Sequence, residues 1–258
     1  MAEMQQLKLF GLDDGEGFKS DRLTLGHSQP KPAKSSVTRT VPPGSSTGGT
    51  RAPVEPPRPE PQAGLWETET VRMDLTNLEV VAQAVRECRA CKLGGTRTNA
   101  VPGEGDPHAR IMFVGEGPGA DEDTQGRPFV GAAGKLLDKL IISMGLMRED
   151  VFIGNVVKCR PPRNRVPDPE EAKACMPYLA RQIELIQPDV LVVLGATALK
   201  ALVDPKALIT RMRGTWLERS GIMVMPTFHP AALLRDPSKK ILVWEDMKKV
   251  MAFLGDTH

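Results

Sequence analysis

The chain has four cysteines. Cys88 and Cys91 form a Cys-x2-Cys pair, and Cys159 and Cys175 follow with fifteen residues between them. Four thiolates complete the ligand set of either a tetrahedral zinc ion or an iron–sulfur cluster. The spacing lacks the second Cys-x2-Cys knuckle of a zinc ribbon, and it leaves zinc and iron–sulfur open. A chance pair plus two core cysteines is the plainer alternative. The run Gly115-Glu116-Gly117-Pro118-Gly119 offers backbone N–H groups, close approach and a carboxylate, although such a run also serves as a bare strand-to-helix turn. Glu122 lies in the acidic run Asp121-Glu122-Asp123, which reads equally as a solvated loop. Asn155 carries an amide that both donates and accepts, and His229, one of four histidines, can act neutral or cationic.

The elements that must position these groups alternate. A helix is expected from Asp74 to Glu87, where Leu75, Leu78, Val81 and Val85 recur at helical spacing. Strands are expected at Arg110–Val114, Val151–Val157, Val190–Leu194 and Ile222–Thr227. Helices are expected at Gly134–Met147, Ala196–Leu202 and Trp244–Leu254, and one is opened sharply by Asp168-Pro169-Glu170-Glu171 and runs to Ile186. Strands alternating with helices imply an α/β fold: three layers, α/β/α, around a central, mainly parallel sheet of four strands. In such sheets ligands sit outside the carboxyl ends of the strands. Glu116, Asn155 and His229 each follow or end a strand, so one crevice is expected to collect them. No internal repeat is visible.

The chain has 258 residues, enough for one sizeable domain with a tail. Between Ser28 and Gln62 prolines alternate with Ser, Thr, Gly and charge, a composition that cannot bury enough apolar surface to offset ordering entropy. Residues 1–64 are therefore expected to form a disordered tail, with a linker from Gly11 to Gly64, and residues 65–258 the folded domain. A net charge of +2 means that any basic surface is local. No apolar run reaches membrane length and the N-terminus lacks a secretory pattern, so a cytoplasmic protein is expected, where structural disulfides are rare.

Several motifs in order carry a resemblance. Gly115 to Asp123 with Gly126-Arg127-Pro128-Phe129-Val130-Gly131, then Asn155-Val156-Val157-Lys158-Cys159-Arg160-Pro161-Pro162-Arg163-Asn164-Arg165, then His229-Pro230-Ala231-Ala232-Leu233-Leu234-Arg235, resemble the motifs of family 4 uracil-DNA glycosylases, over roughly residues 75–254. The resemblance implies a monofunctional glycosylase of base excision repair, which flips uracil out of DNA and hydrolyses its bond to the sugar. It places the four cysteines on a [4Fe–4S] cluster. It sets Glu116, and second to it Glu122, beside the sugar, Gly115 and Gly117 against the substrate, and Phe129 in a stack on uracil. Asn155 then reads N3–H and O4, and His229 bonds O2. Leu233, Leu234 and Arg235 form a loop that enters the helix and fills the gap left in the DNA. By their charge, Arg160 and Arg163, with Arg165, Lys239 and Lys240, are candidate phosphate contacts. A related branch traps uracil-DNA through a histidine after the second strand. The stretch Arg160 to Pro167 has none, so turnover is expected over trapping; binding without cutting and a polymerase-associated scaffold are the alternatives. Separately, Gln6-Leu7-Lys8-Leu9-Phe10 resembles the peptide by which bacterial DNA enzymes bind the sliding clamp, with Leu9 and Phe10 filling an apolar pocket. A nucleoid-associated monomer is the resulting expectation.

Overall fold

The computed structural model describes Gln6, residues 8–12 and residues 75–255. The linker expected over Gly11–Gly64 falls largely outside these residues, as does Leu7. The first of the expected helices, labelled α1, spans Leu78–Glu87 rather than starting at Asp74, because the Asn77 side chain accepts from the Val80 N–H and caps it there. Then follow β1 (Glu104–Gly105), β2 (Ile111–Gly115), α2 (Ala120–Gln125), α3 (Ala132–Ser143), β3 (Phe152–Asn155), α4 (Pro169–Ile186), β4 (Val190–Leu194), α5 (Gly195–Leu202), α6 (Ile209–Met212), β5 (Leu217–Arg219), β6 (Ile222–Thr227), α7 (Pro230–Arg235) and α8 (Lys239–Gly255).

The sheet has six strands in the order β1-β3-β2-β4-β6-β5, not four. The four expected strands are its parallel centre; β1 and β5 add antiparallel edges. Both edges are too short for a period-2 pattern to register in sequence. The β5–β6 hairpin turns on Ser220 and Gly221, both at positive φ, the geometry that a two-residue hairpin turn requires.

Alternation along the central strands divides the core. Met112, Val114, Leu191 and Val193 face α1, α4 and α5, while Ile111, Phe113, Val190 and Val192 face α3, α7 and α8. Each fully buried Val, Leu or Ile contributes about 1.5–3 kcal/mol, so this two-sided core holds the strand ends rigid. From β2 the chain moves to β3 on one side, and later to β4 on the other. The carboxyl ends of β2 and β4 therefore flank a topological switch point, where a crevice opens.

Candidate active site and cysteine cradle

That crevice is a cleft of about 730 Å³, within the range of ligand sites. Glu116, Gly117, Glu122, Phe129, Asn155 and His229 all line it, from the turn after β2, from α2, from the loop between α2 and α3, from the end of β3 and from the turn after β6. Phe129 sits at φ 49°, a left-handed conformation that a bulky residue rarely adopts and that marks functional loops. Its ring lies 5.5 Å from that of His229, the planes 30° apart. Two glycines make this possible. A Cβ on Gly134 would lie 1.8 Å from the Phe129 carbonyl oxygen, and one on Gly115 would meet Asn155 Oδ1 at 2.5 Å and the Phe129 ring at 2.6 Å. Gly115 is thus the floor on which the amide and the ring meet.

Asn155 ends β3 and is only 2% exposed, yet its Oδ1 has no hydrogen-bond partner among the described residues. A buried acceptor left unpaired costs about 1–3 kcal/mol, so this oxygen awaits a donor. His229 caps α7, and its Nδ1 accepts from the Ala231 N–H at 3.1 Å. Nδ1 is therefore unprotonated and the ring keeps its proton on Nε2. Burial, reinforced by the positive charge of Arg235, lowers its pKa to about 4. The imidazole is neutral at physiological pH.

The two carboxylates differ. Glu122 Oε1 accepts from the N–H groups of Val130 and Gly131, both at 2.9 Å, and Oε2 from Gly119 at 3.0 Å. It staples the start of α2 to the Phe129 loop, so the free carboxylate expected from the sequence is committed to backbone. Glu116 Oε2 accepts from Thr197 Oγ1, and among the described residues Oε1 has no partner. Thr197 went unnoticed in the sequence; its only signal is a polar residue just after the apolar strand β4.

The expected DNA contacts divide. Leu233 is 2% exposed and packs into the core with Phe129 and Phe228, so it cannot enter DNA. Leu233 to Arg235 are not a loop but the last turn of α7, whose helical spacing turns Leu233 inward. Leu234 is 50% exposed, and Arg235 lines the cleft. Arg163 is exposed and Arg160 binds Asn164 Oδ1, in the short turn Pro162–Asn164. Arg165 is held bidentately by Glu171, Lys239 pairs with Asp236, and Lys240 donates to the Gly11 carbonyl. Leu9 is 48% exposed, but Phe10 is 1% exposed and lies under Trp244, their ring centroids 6.5 Å apart. The expected peptide therefore does not present both apolar residues to solvent.

The cysteines meet on the other side of the sheet. Cys88 ends α1, Cys91 opens a short turn, Cys159 follows β3 and Cys175 lies in α4; all four line one small cavity with Val85, Lys158 and Tyr178. Among the described residues no three of His, Cys, Asp and Glu converge closely enough to hold a single ion. Arg97 donates to Cys159 Sγ at 2.9 Å and to the carbonyls of Val85 and Arg86, and the Lys158 N–H donates to Cys175 Sγ at 3.3 Å. Burial pushes the Cys175 thiol up to about 12 and raises Cys159 as well. Beside them Lys158 is fully buried on Gln182 Oε1, and burial lowers it to about 8.

Comparison with known proteins gives the family. Residues 102–248 match the model of the uracil DNA glycosylase superfamily. A type-4 uracil-DNA glycosylase of Thermotoga maritima is 54% identical over 183 residues, covering 69% of this chain and 94% of that protein. The chain belongs to the type-4 uracil-DNA glycosylases. Members from Sulfurisphaera tokodaii and Saccharolobus solfataricus are 50% and 49% identical, over 84% and 88% of their own lengths. The matched spans comprise 68–70% of the present chain in all three. Among the described residues, no helix of this type-4 chain is long and apolar enough to cross a membrane.

Proposed function

We propose that the chain excises uracil from DNA by hydrolysis, in the cleft at the β2–β4 switch point. The observation that carries this reading is the buried, unpaired Oδ1 of Asn155 beside the Phe129 ring. Uracil supplies the missing donor at N3–H, while the Asn155 amide N–H₂ donates to O4. Cytosine presents the reverse pattern and leaves buried groups unpaired, which a site built on hydrogen bonds rejects strongly. Phe129 stacks on the flipped base. His229, neutral and donating from Nε2, bonds O2 as negative charge builds there.

Water adds to C1′ as the C1′–N1 bond breaks, and the bonding electrons leave with uracil. Glu116 orients that water and faces the positive charge developing on the sugar. Glu122 holds the Phe129 loop in its strained conformation. Among the described residues no lysine lines the cleft, which supports release by water rather than through a Schiff base. Leu234 fills the gap left in the duplex, and Arg235, Arg163 and Arg160 meet phosphates.

The donor set of the cysteine cradle fits an iron–sulfur cluster. Four thiols lining one cavity give the all-sulfur ligand count of such a cluster, and the spacing lacks the second Cys-x2-Cys knuckle of a zinc ribbon. Cys88, Cys91, Cys159 and Cys175 are the ligands we assign to a [4Fe–4S] cluster. Such a cluster supplies cationic charge that deprotonates the buried thiols and ties α1 to α4. The enzyme acts as a monomer on the nucleoid, in the cytoplasm. Gln6, Leu9 and Phe10, with Leu7, serve as a sliding-clamp peptide once Phe10 leaves Trp244.

The test is uracil release from a labelled oligonucleotide by the full chain, with Glu116→Gln and His229→Ala alongside. Release that falls at least about tenfold in both variants supports the assignment. Tight binding of uracil-DNA without release by the wild type would reverse it, in favour of a binding protein.

A further inference from the structure

Glu116 and Thr197 lie 81 positions apart, yet the Thr197 hydroxyl donates to Glu116 Oε2 at 2.5 Å. The contact spans the switch point. Glu116 follows β2, and Thr197 is the third residue of α5, which leaves β4 directly. The turn between β4 and α5 is tightly constrained: Gly195 sits at φ 88°, and a Cβ there would lie 2.9 Å from His229 Cβ. One turn therefore rests against both the imidazole and the carboxylate of the cleft.

Thr197 is suited to this contact by its place in α5. A helical threonine ordinarily returns its hydroxyl to the carbonyl three or four residues back. Here those positions are Leu194 and Val193, both in β4, and the hydroxyl donates across the cleft instead. Its β-branch restricts χ1, so the donor stays aimed. A glutamate side chain on its own has three rotatable bonds and no fixed direction. Bonding one oxygen fixes the plane of the carboxylate and leaves Oε1 as the free acceptor.

We propose that Thr197 is the positioning residue of the reaction: it holds Glu116 Oε2 so that Oε1 meets the attacking water. The proposal rests on the reading of Glu116 as the carboxylate that works at the sugar. Thr197 touches neither uracil nor sugar in this scheme. It acts on the chemical step through orientation, and leaves DNA affinity alone.

The experiment measures single-turnover release of uracil from a labelled single-stranded oligonucleotide, with the full chain in excess, and DNA affinity by anisotropy. Thr197→Val, which keeps the β-branch and removes the hydroxyl, is expected to slow release about 10- to 100-fold, the usual effect of a misplaced catalytic group. Affinity stays within about threefold. Thr197→Ser restores most of the rate, and Thr197→Ala repeats the loss if the valine variant folds poorly. In the Glu116→Gln background, Thr197→Val adds nothing further. A Thr197→Val enzyme as fast as wild type beside a slow Glu116→Gln overturns the proposal alone. Equal losses in both backgrounds overturn it too. A Glu116→Gln enzyme of wild-type rate removes the reading of Glu116, and Thr197 with it.

Discussion

The unpaired acceptor of Asn155 makes the site testable from two sides at once. Replacing Asn155 by Leu keeps the branched shape and removes the orphaned oxygen; Asn155→Ala removes it without added bulk. Relief of one buried, unpaired acceptor contributes about 1–3 kcal/mol to the free protein. In a domain of this size that raises the melting temperature by about 2–4 °C for each kcal/mol. Catalysis moves the other way. Loss of two hydrogen bonds to uracil, which leaves its edge unpaired, costs about 2–4 kcal/mol, or roughly 30- to 1,000-fold in the single-turnover rate. Differential scanning calorimetry and uracil release from a labelled oligonucleotide measure the two effects on the same preparation. At least one of the two variants is expected to melt no lower than wild type while excision collapses. If both melt several degrees lower, or if either excises uracil at the wild-type rate, the oxygen is not an empty receptor for the base.

Three further outcomes follow from the same geometry. Glu122→Ala leaves three backbone N–H groups unpaired, so it lowers stability in urea by about 3 kcal/mol and slows excision with it; a slow enzyme of unchanged stability would put Glu122 on the substrate instead. His229 resists protonation in the fold but not in the unfolded chain, so the unfolded state binds the extra proton as pH falls from about 6.5 to 4, and stability declines across that window. Nitrogen NMR of the histidines should find the Nε2–H form of His229 unchanged from pH 7.5 down to about 5, against a free-imidazole pKa of about 6.5; titration near the latter value would refute it. Purified protein should be brown and contain about four irons and four sulfides per chain, and Cys175→Ser should lose both colour and stability. One zinc per chain would refute the cluster.

Much of this was legible in the chain itself, for identifiable reasons. Three of the four central strands are fully buried and the fourth, β6, is buried over its last four residues; all read as short apolar runs between turn signals, so their positions are legible within a few residues. The residues at their ends, Glu116, Asn155 and His229, stood out because polar groups are rare beside such runs. What stayed hidden depended on direction rather than on type. Leu233 and Leu234 are alike in sequence, and only the phase of α7 sends one into the core and leaves the other in solvent. Glu122 reads as a carboxylate beside the sugar or a solvated charge, and only the curl of the Phe129 loop brings the Val130 and Gly131 N–H groups to it. Thr197 has no local mark, since its partner comes from another strand. Edge strands of two and three residues carry too little pattern to be seen.

Phe10 has a consequence beyond packing. Its ring fills a place under Trp244, so it cannot fill a pocket on another molecule at the same time. Any protein that grips Phe10 competes with the enzyme's own last helix, and its apparent affinity drops by the fraction of chains in which the residue is released. The exclusion is reciprocal: capture of the segment uncovers the indole, so the emission of Trp244 becomes a built-in gauge of whether the enzyme is tethered.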